Sequence, residues 1–73
     1  MPSDIFRLNG QKLAELRYRA GLTQSGLAAK LGVHRNYIGR IEAGKFEPTP
    51  ARLIAIASVL GVDIDAITDR AAA

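Results

Sequence analysis

Glycine sets the grain of this chain. Gly21, Gly32, Gly44 and Gly61 each close a short stretch whose apolar residues recur three and four apart, the spacing of one helical face. No stretch alternates with period two over a useful length. The chain is therefore expected to be built of short helices. In GQKLAELRYRAG, Leu13, Leu16 and Ala20 share a face before Gly21. That helix begins either at Asn9 as cap or earlier, with Ser3 as cap and Ile5, Phe6 and Leu8 in its first turns. Thr23 caps a second helix, in which Leu27, Ala28 and Leu31 precede Gly32. A third, over residues 34–43, sets Tyr37, Ile38 and Ile41 on one side. Thr49-Pro50 opens a fourth, because threonine caps and proline suits the first helical position; Leu53, Ile56, Ala57 and Leu60 form its inner face. Asp63 is expected to cap a short fifth helix carrying Ile64 and Ile67, and residues 71–73 to fray. The predicted fold class is all-α: one compact five-helix domain over residues 1–73, with its core at about 9–69.

Composition limits what such a domain can do. There are 73 residues, no cysteine and one histidine, which excludes disulfides and leaves little for a metal site or a catalytic triad. Asp63-x-Asp65 resembles the start of a calcium loop, but Ile67 and Thr68 stand where a ligand and a glycine are needed. We expect no enzyme activity, no cofactor, no metal and no small-molecule ligand. With two Tyr, two Phe and no Trp, the core must be aliphatic. No apolar run approaches ~18 residues, so no membrane partner is expected and a cytoplasmic location is, nucleoid-associated if the source is bacterial. The chain ends soon after the fifth helix, so no attached sensing or cleavage domain is expected. Charge is uneven: residues 1–53 hold nine basic and four acidic side chains (+5), residues 54–73 one and three (−2), giving +3 overall. A basic body suits a polyanionic partner.

One string invites a misreading. GRIEAGKF at residues 39–46 matches glycine, four residues, then Gly-Lys of a nucleotide phosphate loop, but Phe46 stands in place of the closing hydroxyl. That loop follows a strand, whereas Gly39 falls inside a helix.

The informative unit is residues 23–45, TQSGLAAKLGVHRNYIGRIEAGK. Two helices joined by a glycine turn cross steeply, and Ala28 supplies the small residue that close crossing needs. Gly32 permits the turn and Val33 plugs it, the order of a helix-turn-helix. The third helix's outer face carries His34, Arg35, Asn36, Gly39 and Arg40, with no acid before Glu42. Arginine pairs bidentately with guanine and asparagine with adenine in the major groove.

GLTQSGLAAKLGV, IGRIEAGK and LIAIASVLGV, in that order, resemble the phage repressor/Cro-type (Xre-like) helix-turn-helix family, over roughly residues 10–67. The resemblance implies a five-helix fold and sequence-specific binding of double-stranded DNA by a transcriptional repressor or activator, with repression and a homodimer expected. It places Arg35, Asn36 and Arg40 at base-reading positions, and Gln24, His34 and Tyr37 at backbone or edge positions. It makes Arg17 and Glu42 an internal ion pair. Lys45 and N–H groups of its loop are expected to meet phosphate. Gly26 departs from the pattern, where the family usually has glutamate or another good helix former. The same fold also serves antitoxins and adaptors whose DNA binding is secondary. Ile54, Val59 and Ile64 are expected to form the dimer interface, because they add apolar surface beyond the inner stripe of the fourth helix.

Overall fold

A computed structural model describes the chain from Ile5 to Ala71. The Ser3 cap and residues 72–73 of the expected tail lie outside the described residues. Four α-helices form the body: α1 (Gly10–Arg19), α2 (Gln24–Leu31), α3 (Arg35–Glu42) and α4 (Pro50–Leu60). A single 3-10 turn, Ile64–Ala66, follows. Strands β1 (Ile5–Leu8) and β2 (Thr68–Ala71) pair antiparallel, with Ile5 opposite Ala71 and Leu8 opposite Thr68. None of the described helices is long and apolar enough to cross a membrane.

Five helices were expected and four are found among the described residues; the all-α expectation holds for the body of the fold and not for its two strands. The fifth stops at one turn. Asp63 has the extended backbone of a cap, but its side chain accepts no capping bond. Ala66 and Ile67 instead donate to the carbonyls of Asp63 and Ile64 at 2.9 and 3.1 Å, the three-residue closure of a tight turn. Thr68 Oγ1 also donates to the Ile64 carbonyl at 2.8 Å, and the chain then leaves as β2. Ala71, expected in the frayed tail, is the last residue of that strand.

Asn9 settles where α1 begins. Its Oδ1 accepts from Lys12 N at 3.0 Å, the capping bond, and its own N–H donates to the Ile67 carbonyl at 2.8 Å. Its Nδ2 donates to Asp69 Oδ2 at 2.8 Å, while Lys12 Nζ donates to Asp69 Oδ1 at 3.0 Å and to the Thr68 carbonyl at 3.2 Å. The Lys12 hydrogen bond, and then that from Asn9, hold the Asp69 carboxyl below its ordinary value. These contacts bind β2 to the start of α1. On the outer side of β1, Leu8 N–H donates to the Glu47 carboxylate, which occupies part of an otherwise open strand edge.

The core consists of Leu13, Leu27, Ala28, Ile38, Ile41, Leu53, Ile56, Ala57 and Ile67, all buried. Burial of each large aliphatic side chain contributes about 1.5–3 kcal/mol. Thr23, His34 and Thr49 cap α2, α3 and α4 with their side chains. Between α2 and α3, Gly32 adopts φ 70°, ψ 31°, which brings Val33 N–H to the Ala28 carbonyl at 3.0 Å. That reversal sends α3 back across α2 over the side chain of Ala28, which is only 2% exposed.

A second glycine matters for a different reason. A Cβ on Gly10, the first residue of α1, would sit 2.1 Å from the carbonyl oxygen of Glu42, at the end of α3. The two backbones touch, and any side chain would drive them apart. Gly10→Ala is expected to lower stability by about 1–3 kcal/mol, the usual range for overpacking, seen as a lower urea midpoint with unchanged slope.

Candidate nucleic-acid interface

The candidate interface comprises the first residue of α2, the outer face of α3 and the loop that follows. Gln24, Arg35, Asn36, Gly39, Arg40, Ala43 and Lys45 line one shallow concavity. Positions 35, 36, 39, 40 and 43 come together because residues three and four apart are neighbours on a helix surface. Arg35, Asn36, Arg40 and Lys45 are exposed. None of the three ion pairs among the described residues involves Arg35, Arg40 or Lys45, so their charge faces outward.

Behind this face lies a compact polar network. Glu42 Oε2 accepts from Arg17 Nε at 2.7 Å, and Oε1 accepts from Arg17 Nη2 at 3.2 Å. Gln24 Nε2 donates to the same Oε1 at 3.0 Å. Arg17 Nη1 donates to the Leu22 carbonyl at 2.9 Å. The side chains of Arg17 and Glu42 are only 15% and 8% exposed. The fork of a guanidinium on a carboxylate is geometrically selective, and here it joins α1 to the end of α3. The bond to Glu42 holds Gln24 in the lining of the concavity, its amide within 4 Å of where a Cβ on Gly39 would lie.

His34 occupies the N-cap of α3, where its Nδ1 accepts from Asn36 N–H at 3.0 Å. The proton of the neutral ring is then on Nε2, which is the polar atom left for an outside partner. Tyr37 is half-buried. Its ring meets Phe46 edge-on, with centroids 5.2 Å apart and planes at 63°, and the Arg52 guanidinium carbon lies 5.4 Å from its centroid. Phe46, the residue that spoils the phosphate-loop pattern, thus ties the loop to α3. Gly39 lies within α3 and Gly44 just beyond it, and the element that leads into α3 is the helix α2, not a strand.

The loop itself requires a correction. Its N–H groups were expected to meet phosphate, but those of Ala43, Gly44 and Lys45 donate to the Gly39, Ile41 and Arg40 carbonyls at 3.0, 3.1 and 2.9 Å. They close the helix. The Lys45 side chain, which is exposed, remains available. On α4, Ile54 is 62% exposed, whereas Val59 and, in the turn that follows, Ile64 are half-buried against the core.

Sequence reasoning passed over a second concavity beside the first, lined by Tyr18, Leu22, Thr23, Ser25 and Arg35 among others. Gln24 and Arg35 belong to both, so the two are continuous. Tyr18 is 81% exposed there. Its signal was its position, off the Leu13–Leu16–Ala20 stripe.

Residues 13–67 match the helix-turn-helix family. The immunity repressor protein of Bacillus phage phi105 is 36% identical over 58 residues, which are 80% of this chain and 40% of that protein. The chain thus spans well under half the length of that relative. The restriction-modification controller protein C.AhdI from Aeromonas hydrophila superposes with a TM-score of 0.74 at 33% identity, over 78% of this chain and 86% of its own. The hydroxypropylphosphonic acid epoxidase from S. wedmorenis reaches 0.78 at 31% identity, over 82% of this chain but only 32% of the enzyme. The same fold therefore occurs as part of a larger catalytic chain.

The network beneath the interface is testable apart from binding. Arg17→Ala or Glu42→Ala leaves a partner charge buried and should cost ~3–5 kcal/mol each. The double variant should lose less than the sum, and a urea-denaturation cycle measures the difference. Glu42→Ala unfolding at the wild-type midpoint would remove the pair from any structural role.

Proposed function

The chain belongs to the helix-turn-helix family, and we propose that it is a transcriptional regulator, in the first place a repressor, that binds double-stranded DNA sequence-specifically with α3 in the major groove. The observation that supports this most is the exposed face of Arg35, Asn36 and Arg40, two free cations and an amide on one helix surface with no acid among them. A face maintained only for solubility mixes signs. A face that meets phosphates and base edges needs cations and bidentate donors.

Each side chain then has a distinct task. Arg35 forks onto guanine O6 and N7, Asn36 onto adenine N6 and N7, and Arg40 reads a neighbouring pair or clamps its phosphate. Gln24 has one amide hydrogen on Glu42 and offers the other to the DNA backbone. Lys45 supplies a point charge to phosphate. His34 offers Nε2–H at the edge, and Tyr37, whose ring is engaged by Phe46 and Arg52, offers only its hydroxyl. Tyr18 and Ser25 extend the backbone contact along the second concavity.

A single eight-residue helix touches few base pairs, so useful specificity calls for two half-sites about one helical turn apart. A homodimer through α4 and the turn after it provides them, with Ile54 as its exposed anchor and the half-buried Val59 and Ile64 adding to the contact. Sedimentation at high micromolar concentration should show a dimer for wild type and a monomer for Ile54→Asp. A monomeric wild type, with and without its selected duplex, refutes the arrangement.

Base reading and positioning are separable by titration against a duplex selected by the protein and a random one, each at three salt concentrations. Arg35→Ala should cost ~1–3 kcal/mol on the selected duplex and relax preference at one base pair. Lys45→Ala should weaken both duplexes by similar factors and lower the salt slope by about one. Uniform loss in Arg35→Ala would make that residue a phosphate clamp and leave reading to Asn36 and Arg40.

A further inference from the structure

Gly39 has no internal reason to be glycine. Its φ lies outside the left-handed region, unlike that of Gly21, Gly32, Gly44 and Gly61. A Cβ built on it would meet only the Gln24 amide, at 3.7 and 3.9 Å, which is ordinary contact. Alanine would therefore fit. It would also favour the helix, since glycine is the poorest helix former after proline. Gly10 makes the contrast, because there the added carbon would strike backbone. Whatever keeps position 39 bare lies outside the folded chain.

Its surroundings say where. Gly39 lines the same concavity as Gln24, Arg35, Asn36, Arg40 and Lys45, with the Gln24 amide its nearest side-chain neighbour. Resting on the DNA-reading assignment above, we infer that Gly39 sets the depth to which α3 enters the major groove. Without a Cβ, the α3 backbone itself is the surface of closest approach to the base edges. Arg35 and Asn36 then reach O6/N7 and N6/N7 along with Arg40 from one helix position. A methyl at 39 holds the helix off the base pairs, where hydrogen bonds to base edges lengthen first. Contacts to phosphate, made by long flexible side chains at the rim, adjust. Gly39 is thus a specificity-determining residue that makes no hydrogen bond of its own.

The test compares wild type, Gly39→Ala and Gly39→Leu. Thermal melts are read beside titrations against a duplex selected from a random library by wild type and against a random-sequence duplex. Gly39→Ala should melt a few degrees higher and bind the selected duplex roughly tenfold more weakly, with random-duplex affinity nearly unchanged. Gly39→Leu, still folded by its melt, should lose the selected duplex further. If wild type selects no duplex and binds none at low salt, the DNA-reading assignment falls and this inference with it. If wild type discriminates and Gly39→Ala discriminates equally while melting higher, the inference alone is overturned. A lower melting temperature for Gly39→Ala would also overturn it, by showing an internal need for glycine.

Discussion

The carboxylate of Glu42 receives three hydrogen bonds, two from Arg17 and one from Gln24, in a place almost closed to water. Such a charge is tolerable only when its lone pairs are filled, so each donor must be present and in position. Arg17 comes from α1, Gln24 opens α2, and Glu42 ends α3. The requirement therefore fixes three helices relative to one another. The backbone enforces the same geometry, since Gly10 brings the start of α1 against the carbonyl of Glu42. Lysine in place of Arg17 would keep the charge but could not reproduce the fork or reach the Leu22 carbonyl at the same time.

This arrangement divides the charged residues into two populations. Lys12, Arg17 and Arg19 are neutralised by Asp69, Glu42 and Glu15, and add little to the field outside. Arg35, Arg40 and Lys45 have no ion-pair partner among the described residues and project from one side. The formal charge of +3 understates the local potential of that face, because pairing removes cations elsewhere. Rigid pairs behind and free cations in front are what a surface needs if it is to meet a polyanion without reorganising first.

What the sequence discloses follows from the range of the forces involved. The four α-helices were legible because their signals are local: Thr23 and Thr49-Pro50 start helices, and Gly32 and Gly61 stop them within a few residues. The outer face of α3 was legible for the same reason, since periodicity alone gathers residues 35, 36 and 40. The strands were not. IFRL and TDRA are four residues each, too short to alternate, and each is a strand only because the other lies opposite it at the far end of the chain. Asp69 carried no local signal, and its hold on Asn9 and Lys12 depends on that same long-range pairing. Arg17 and Glu42 were linked through family resemblance, not spacing, because a partner 25 residues away leaves no local mark. Gly10 left only a faint one: glycine at the first position of a helix is a poor choice unless something presses against it.

Because β1 and β2 run antiparallel with Ile5 opposite Ala71, the described chain is a closed circuit. That has a kinetic side. The α2–α3 turn joins neighbours in sequence and can form early, whereas the ladder must wait until nearly the whole chain has been gathered, with the loop entropy that entails. It has a topological side as well. Ile5 and Ala71 are paired at the end of the ladder away from α1, so segments joined before the one and after the other would start from adjacent points. A short linker could join those two points and new ends be opened in a surface loop, giving a circular permutant whose helical core keeps every contact described here.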